Sequence, residues 1–381
     1  MRHHNSVFHS LLKHVPWSTF DRLVDKHKAD HRVRQLTSKS QFLALLFGQL
    51  SGATSLREIE AGLMSHSARL YHVGGCPVAR TTLADANATR PAGLYAELFA
   101  HMAAIAGRCT RRRLADAVRI LDATRVQLSS LSSGWVNTVK GARAIKLHIV
   151  FDPRTEVPLA ASFTDQRVND ITPAKAMPIE PGMTYVFDLA YYDFAWWAAL
   201  DAQGCRFVSR LKSHTRLEVT VEQPAPEAGN ILADRIGLLP QRMARSRRNP
   251  LADPVREITV RIATGKVIRL LTNDLDASAE EIADLYKERW QIELFFKWIK
   301  QNLKIRHFLG TSENAVRIQV FVALIAYLLL RAAQATQKTV KQPLAFARLV
   351  RLNIMHRRPI ETLKTSPHTK PNNDSQMVLC F

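Results

Sequence analysis

Cysteine is scarce in this 381-residue chain: four in all, Cys76, Cys109, Cys205 and Cys380, with no CxxC pair. That excludes a disulfide framework and a cysteine-based zinc site, and it fits a reducing cytoplasm. Acid is short as well, 33 Asp and Glu against 53 Lys and Arg, leaving a formal charge of +20. A surface that repels itself this strongly fits a polyanionic partner, nucleic acid first, ahead of a ribosome-associated or merely basic protein. Long apolar runs are missing too. The longest, residues 318–330 (IQVFVALIAYLLL), lies between Arg317 and Arg331, is too short to cross a bilayer, and reads as a buried helix. The N-terminal MRHHNSVFHSLLKHVPW has neither a sustained apolar stretch nor a small-residue cleavage site, so no secretory signal is expected. There is no internal repeat, and no low-complexity tract beyond the polar tail at 365–376. Hydrophobic residues, at 46%, supply a buried core and exclude wholesale disorder.

What is present divides into two patterns. From residue 6 to about 107 the apolar residues recur at three- and four-residue intervals (Phe8, Leu11, Leu12; Phe42, Leu45, Leu46, Leu50), which predicts helices throughout. Thr54, Ser55 and Glu58 give a hydroxyl cap and a following acid, a helix start. Residues 51–84 admit two readings, a helix-turn-helix-like DNA reader or a packing module. Near residue 114 the period changes. Strands are expected at 118–122, 146–152, 159–163, 184–188 and 206–210, with helices after the third and fourth. Three adjacent strands followed by strand–helix alternation predict an α/β fold, a mixed sheet flanked by helices. Residues 213–265 turn Pro- and Arg-rich and partly strand-like. After a strand at 266–271, Ser278-Ala279-Glu280-Glu281 is a capping box for a long helix reaching about residue 303. The expected division is a helical region at 1–110, an α/β region at 111–335 with a mostly β insertion at about 213–265, and a basic helix and tail at 336–381.

Two expected strands close on an acid, Asp122 in VRILDAT and Asp188 in TYVFDLAYYD. A carboxylate there sits at the sheet edge where ligands bind, although an Asp at a strand end also serves simply to cap the next turn. Asp152, followed by Pro153, reads as such a cap. In YKERWQIELFFKWIK, Tyr286, Arg289, Glu293 and Lys300 fall at offsets 0, 3, 7 and 14. At ~100° per residue these share an arc of about 60°, and Lys297 joins the same stripe. A solvated face laced with Arg–Glu and Glu–Lys pairs would look the same. Trp290, Phe295, Phe296, Trp298 and Ile299 make most of the rest apolar, which predicts a helix packed into something.

These residues resemble a known family. Tyr, two residues, Arg, three residues, Glu, six residues, Lys is similar to the Y-R-E-K signature of bacterial insertion-sequence transposases with a DDE active site. Asp122 in LDAT and Asp188 in FDLAYYDF resemble its first and second acids, Glu293 its third, and residues 168–174 (VNDITPA) the stretch before its second acid. The resemblance covers roughly residues 114–333 and implies an RNase H-like core. The intervals, 66 residues from Asp122 to Asp188 and 105 from Asp188 to Glu293, leave room for the β insertion this group carries.

The resemblance implies a DNA transposase that cleaves at the ends of its element and joins 3′-hydroxyls to target DNA. Asp122, Asp188 and Glu293 would be both catalytic and metal-holding, with two Mg²⁺ or Mn²⁺ ions per site. Tyr286, Arg289 and Lys300, with Lys297 beside them, would hold phosphates of the DNA end, and Arg245, Arg247 and Arg248 (with Arg242) would do so from the insertion. The partners it implies are terminal repeats, a target duplex and a second copy of the chain, with no membrane and no nucleotide cofactor. An RNase H-like nuclease without strand transfer, or a silent DNA-binding repressor of the element, remain as alternatives. Weaker features are the Arg111–Arg113 run, a basic stretch from Lys341 to Lys370, and His27 and His31 at i, i+4 without further ligands.

Overall fold

A computed structural model describes residues 5–107, 117–132, 134–139, 141–224, 229–242, 248–305, 308–336 and 340–363. The chain forms two compact units, one of residues 99–301 and 305–316, the other of 1–98, 302–304 and 317–381.

The first unit is built on one mixed sheet. β1 (Val118–Gln127) lies between β3 (Ala142–Asp152), antiparallel, and β5 (Thr184–Val186), parallel. β4 (Val157–Asp165) pairs antiparallel with β3, and β6 (Arg206–Arg210) parallel with β5. Three antiparallel strands continued by two parallel ones are the RNase H-like arrangement, and each expected strand is present. The short β2 (Thr138–Val139) extends the β3 edge. Helices α8 (Ile171–Ala176) and α9 (Phe194–Ala202) supply the crossovers. On α9, Trp196 and Trp197 are buried against Phe187, just past β5, and Phe207 of β6.

The segment expected as an insertion does not form a separate sheet. β7 (Glu218–Gln223), β8 (Ile231–Leu238), β9 (Val255–Arg261) and β10 (Val267–Thr272) run antiparallel, and β10 pairs with β6. One ten-stranded sheet results. Register is pinned by a buried ion pair, Asp234 on β8 with Arg256 on β9, in which Nε–Oδ1 is 2.8 Å and Nη2–Oδ2 2.6 Å.

Three expectations need correcting. Asp122 does not end its strand: β1 runs five residues further, because its ladder with β3 continues from Ile120 to Gln127, while the ladder with β5 stops at Ile120–Val186. The long helix is two, α10 (Ala279–Glu288) and α11 (Trp290–Asn302), meeting at Arg289. There the backbone tightens to three-residue hydrogen bonds, Arg289 N–H to Tyr286 O and Ile292 N–H to Arg289 O. Trp290 is also not packed: it is 58% exposed, with Leu294 beside it at 51%. The Ser278 cap stands as read, its hydroxyl accepting from Glu281 N–H at 3.1 Å.

In the second unit, α1 (Val7–Leu12), α2 (Trp17–Lys26), α3 (Ser38–Ser51), α4 (Leu56–Ser65), α5 (Ser67–Leu70) and α6 (Arg80–Thr89) form the N-terminal part, and α7 (Ala92–Ala106) begins there. Ser55 caps α4, accepting from Glu58 N–H, while Glu58 accepts from Thr54 N–H and hydroxyl. α4 and α6 are separated by α5 and a 3₁₀ turn rather than the three- or four-residue turn of a helix-turn-helix. The C-terminal part, α13 (Pro343–Asn353) and the turn after it, closes on α1: Val7 N–H donates to His356 O and Phe8 N–H to Ile354 O. α12 (Glu313–Ala335) carries the longest apolar run, and residues 318–330 are all buried. By length and composition it could span a bilayer; its burial is that of a core helix.

Candidate active site

Asp122 lies where β1 outruns β5, so one flank of its strand is open while its backbone stays fixed by β3. Its Oδ1 accepts from Ala123 N–H at 2.7 Å. Asp188 stands two residues past β5 and caps the following 3₁₀ turn, accepting from Ala190 N–H at 2.8 Å. The turn-capping reading is therefore true of Asp188, and it does not exclude another role. Asp152 behaves as expected, its Oδ1 accepting from the Arg154 and Thr155 N–H groups.

Glu293 on α11 reaches the same place through Arg289. The guanidinium donates to Glu293 Oε1 at 2.6 Å and meets Asp122 Oδ2 at 3.4 Å. Burial, opposed by the Ala123 N–H, with the fields of Asp188 and Glu293 adding to it, pushes the Asp122 carboxyl up to about 7. Burial also holds the Tyr191 phenol well above its usual range, with Asp122, Asp170 and Asp188 adding to the effect. A strand, the turn after its neighbour and a helix thus bring Asp188 and Glu293 into electrostatic reach of Asp122, and Arg289 is the counter-charge shared by Asp122 and Glu293.

The expected polar stripe surrounds this centre. Tyr286 is half-buried beneath the Arg289 guanidinium, 5.8 Å from ring centre to Cζ. Burial raises its hydroxyl, against the pull of Arg289 and Arg210. Lys300 donates to the Thr124 hydroxyl of β1, and Lys297 is exposed. Arg248 is exposed and bridges to Arg242 across the neck of the loop joining β8 and β9. Arg245, Arg247, Arg111–Arg113 and the tail beyond residue 363 lie outside the described residues. Sequence reasoning missed a cavity of about 690 Å³ lined by Lys175, Lys212, His214, Arg216 and Arg242. Its wall includes Tyr192, four residues past Asp188, with the Lys212 ammonium 4.2 Å from the ring centre. Lys212, His214 and Arg216 are close in sequence, but only the fold brings Lys175 and Arg242 to them.

Residues 113–329 match the family described as Transposase DDE domain. The chain belongs to the DDE transposases. A protein of Sinorhizobium fredii named as transposase y4zB is 40% identical over 76% of this chain and 82% of its own length. One of Geobacillus stearothermophilus, named as a transposase for insertion sequence element IS5377, is 32% identical over 68% and 69%. Residues 3–76 of the transposase match a Domain of unknown function, DUF4372. A cryo-EM structure of a piggyBac transposase synaptic complex with hairpin DNA aligns with 96% of the chain at 11% identity, with a TM-score of only 0.40.

Transposases of this family typically use divalent metal ions. The residues present fit such an ion by donor chemistry, since hard cations prefer carboxylate oxygen. The raised Asp122 carboxyl marks a group short of positive charge. Among the described residues no three acidic, His or Cys side chains already form a metal-binding cluster, and Arg289 stands between Asp122 and Glu293.

Proposed function

We propose that this DNA transposase cuts at the ends of its own insertion sequence and joins the freed 3′-hydroxyls to target DNA by in-line displacement at phosphorus. Two Mg²⁺ or Mn²⁺ ions would supply Lewis-acid stabilisation of the attacking and leaving oxygens. Asp122 would hold both, with Asp188 and Glu293 holding one each. The observation that supports this reading most is the Arg289 bridge between Asp122 and Glu293 beside Asp188. It gives the third acid a physical link to the first across 171 residues of sequence.

The chain's other residues would bind and orient. Arg289 exchanges a carboxylate for a phosphate when DNA arrives; Tyr286, Lys297 and Lys300 hold neighbouring phosphates and so set the terminal nucleotide in line, contacts that position without reading sequence. Arg242, Arg248 and the cationic cavity extend this grip, with Arg245 and Arg247 in the same run. The Tyr-Arg-Glu-Lys spacing supports membership of the Y-R-E-K group. Residues 1–110 engage the DNA end, and a second copy of the chain pairs the two ends, as an insertion sequence with two termini requires. Exchange of one phosphodiester for another needs no nucleotide cofactor, and the reaction belongs in the cytoplasm at the nucleoid.

Asp188→Ala should abolish Mg²⁺-dependent cleavage of an end-containing duplex while leaving binding intact; retained cleavage would remove that acid from the site. With a plasmid target, the unsubstituted chain should yield joined products. Hydrolysis alone would make it a nuclease, and binding without cleavage a repressor.

A further inference from the structure

The link between α2 and α3, residues 27–37, is unusually constrained for a surface loop. Lys28 and Arg32 both adopt left-handed backbone conformations, φ 49° and 58°. Such conformations are costly for long side chains and persist only where the surroundings enforce them. Here the enforcement is buried. Asp30 accepts from Ser38 N–H and hydroxyl, each at 2.7 Å, and from Arg90 Nη1 at 2.6 Å. Arg90, 9% exposed, also donates to Leu36 O and to the Ser38 hydroxyl at 2.8 Å, tying both ends of the loop to the end of α6. The one acid of the loop is thus spent inward.

The outward side is entirely basic or neutral. Lys28, His31, Arg32 and Arg34 are exposed, and among the described residues none of the four has an ion-pair partner. With Thr82 of α6 they line a groove of about 620 Å³ in which Asp85 is the one acid among the described residues. Exposed cations carried on a pinned loop around a concave surface match a phosphodiester backbone, which takes guanidinium, ammonium and hydroxyl donors without regard to base.

We propose that this groove is a duplex-DNA backbone site within the helical unit, with Lys28, Arg32 and Arg34 each engaging a phosphate. It rests on the transposase reading and adds a second grip on DNA, separate in sequence from the three acids.

The test uses the full chain in EDTA, so that nothing is cut, with short duplexes containing the element's end or an unrelated sequence. Lys28→Asn and Arg32→Asn remove charge while keeping a side chain that tolerates left-handed backbone; Arg34→Gln completes a triple variant. Its binding should weaken on both duplexes. The slope of log affinity against log salt should fall by roughly 0.9 for each phosphate that is no longer neutralised, with the thermal midpoint unchanged. An unchanged slope and affinity would overturn this site alone. Failure of the unsubstituted chain to bind either duplex would overturn it together with the transposase reading.

Discussion

At the scale of single residues, the charge on Asp122 is the variable to measure. The folded protein takes up this proton near 7, the unfolded chain near 3.8. Because the folded value is raised, the group is neutral in both states below about pH 4 and costs nothing there. As pH climbs from about 4 to 7, the unfolded chain gives up this proton while the folded protein keeps it, so stability falls, then levels off once both are ionised. Across that window the loss is on the order of 4 kcal/mol. Denaturant midpoints in EDTA across this range should show it in the unsubstituted protein and not in Asp122→Asn; parallel curves for the two would contradict the raised value. Much of this residue's role was legible in the sequence, because an acid late in a β-branched run stands out. Its setting was not. Local pattern cannot reveal that β1 continues past its neighbour, and it is that difference in ladder length that leaves one flank of the strand open at Asp122.

At the scale of elements, the strands between Asp188 and Glu293 behave as part of the central sheet. Asp234 and Arg256 hold β8 to β9 with both side chains 4% exposed. Asp234→Ala would strand a guanidinium with only the carbonyls of Leu275 and Ala277 for partners, a loss of about 3–5 kcal/mol. A lowered urea midpoint, largely recovered when both residues become leucine, would establish the pair as a register device. If the single variant unfolds at the unsubstituted midpoint, the pair contributes nothing. The sequence marked residues 213–265 only as partly strand-like and 266–271 as a strand, and nothing local told which edge they would join, since β10 meets β6 only through tertiary pairing. The junction at Arg289 was likewise invisible: the periodicity of α10 and α11 runs unbroken through it, and a one-residue tightening of the backbone leaves no trace in composition.

At the scale of the whole molecule, the helical unit is assembled from both chain ends. The Val7–His356 and Phe8–Ile354 hydrogen bonds join residues more than 340 apart, and Arg69 donates to Met355 O at 2.9 Å. A chain ending at residue 336 should therefore lose hydrogen-exchange protection in α1–α3 while β1, β3 and β5 keep theirs; equal protection in both would show that the C-terminal helix is dispensable. Such long-range closure could not be read from hydropathy, which sees each helix but not its partner. It carries a consequence for synthesis. On the ribosome, β1 and β5, which position Asp122 and Asp188, emerge and can pair while the first hundred residues still wait for Ile354 and His356. The strands beside two of the proposed cutting acids can thus be in place before the helical unit, whose closure depends on residues made more than 340 positions after α1 begins.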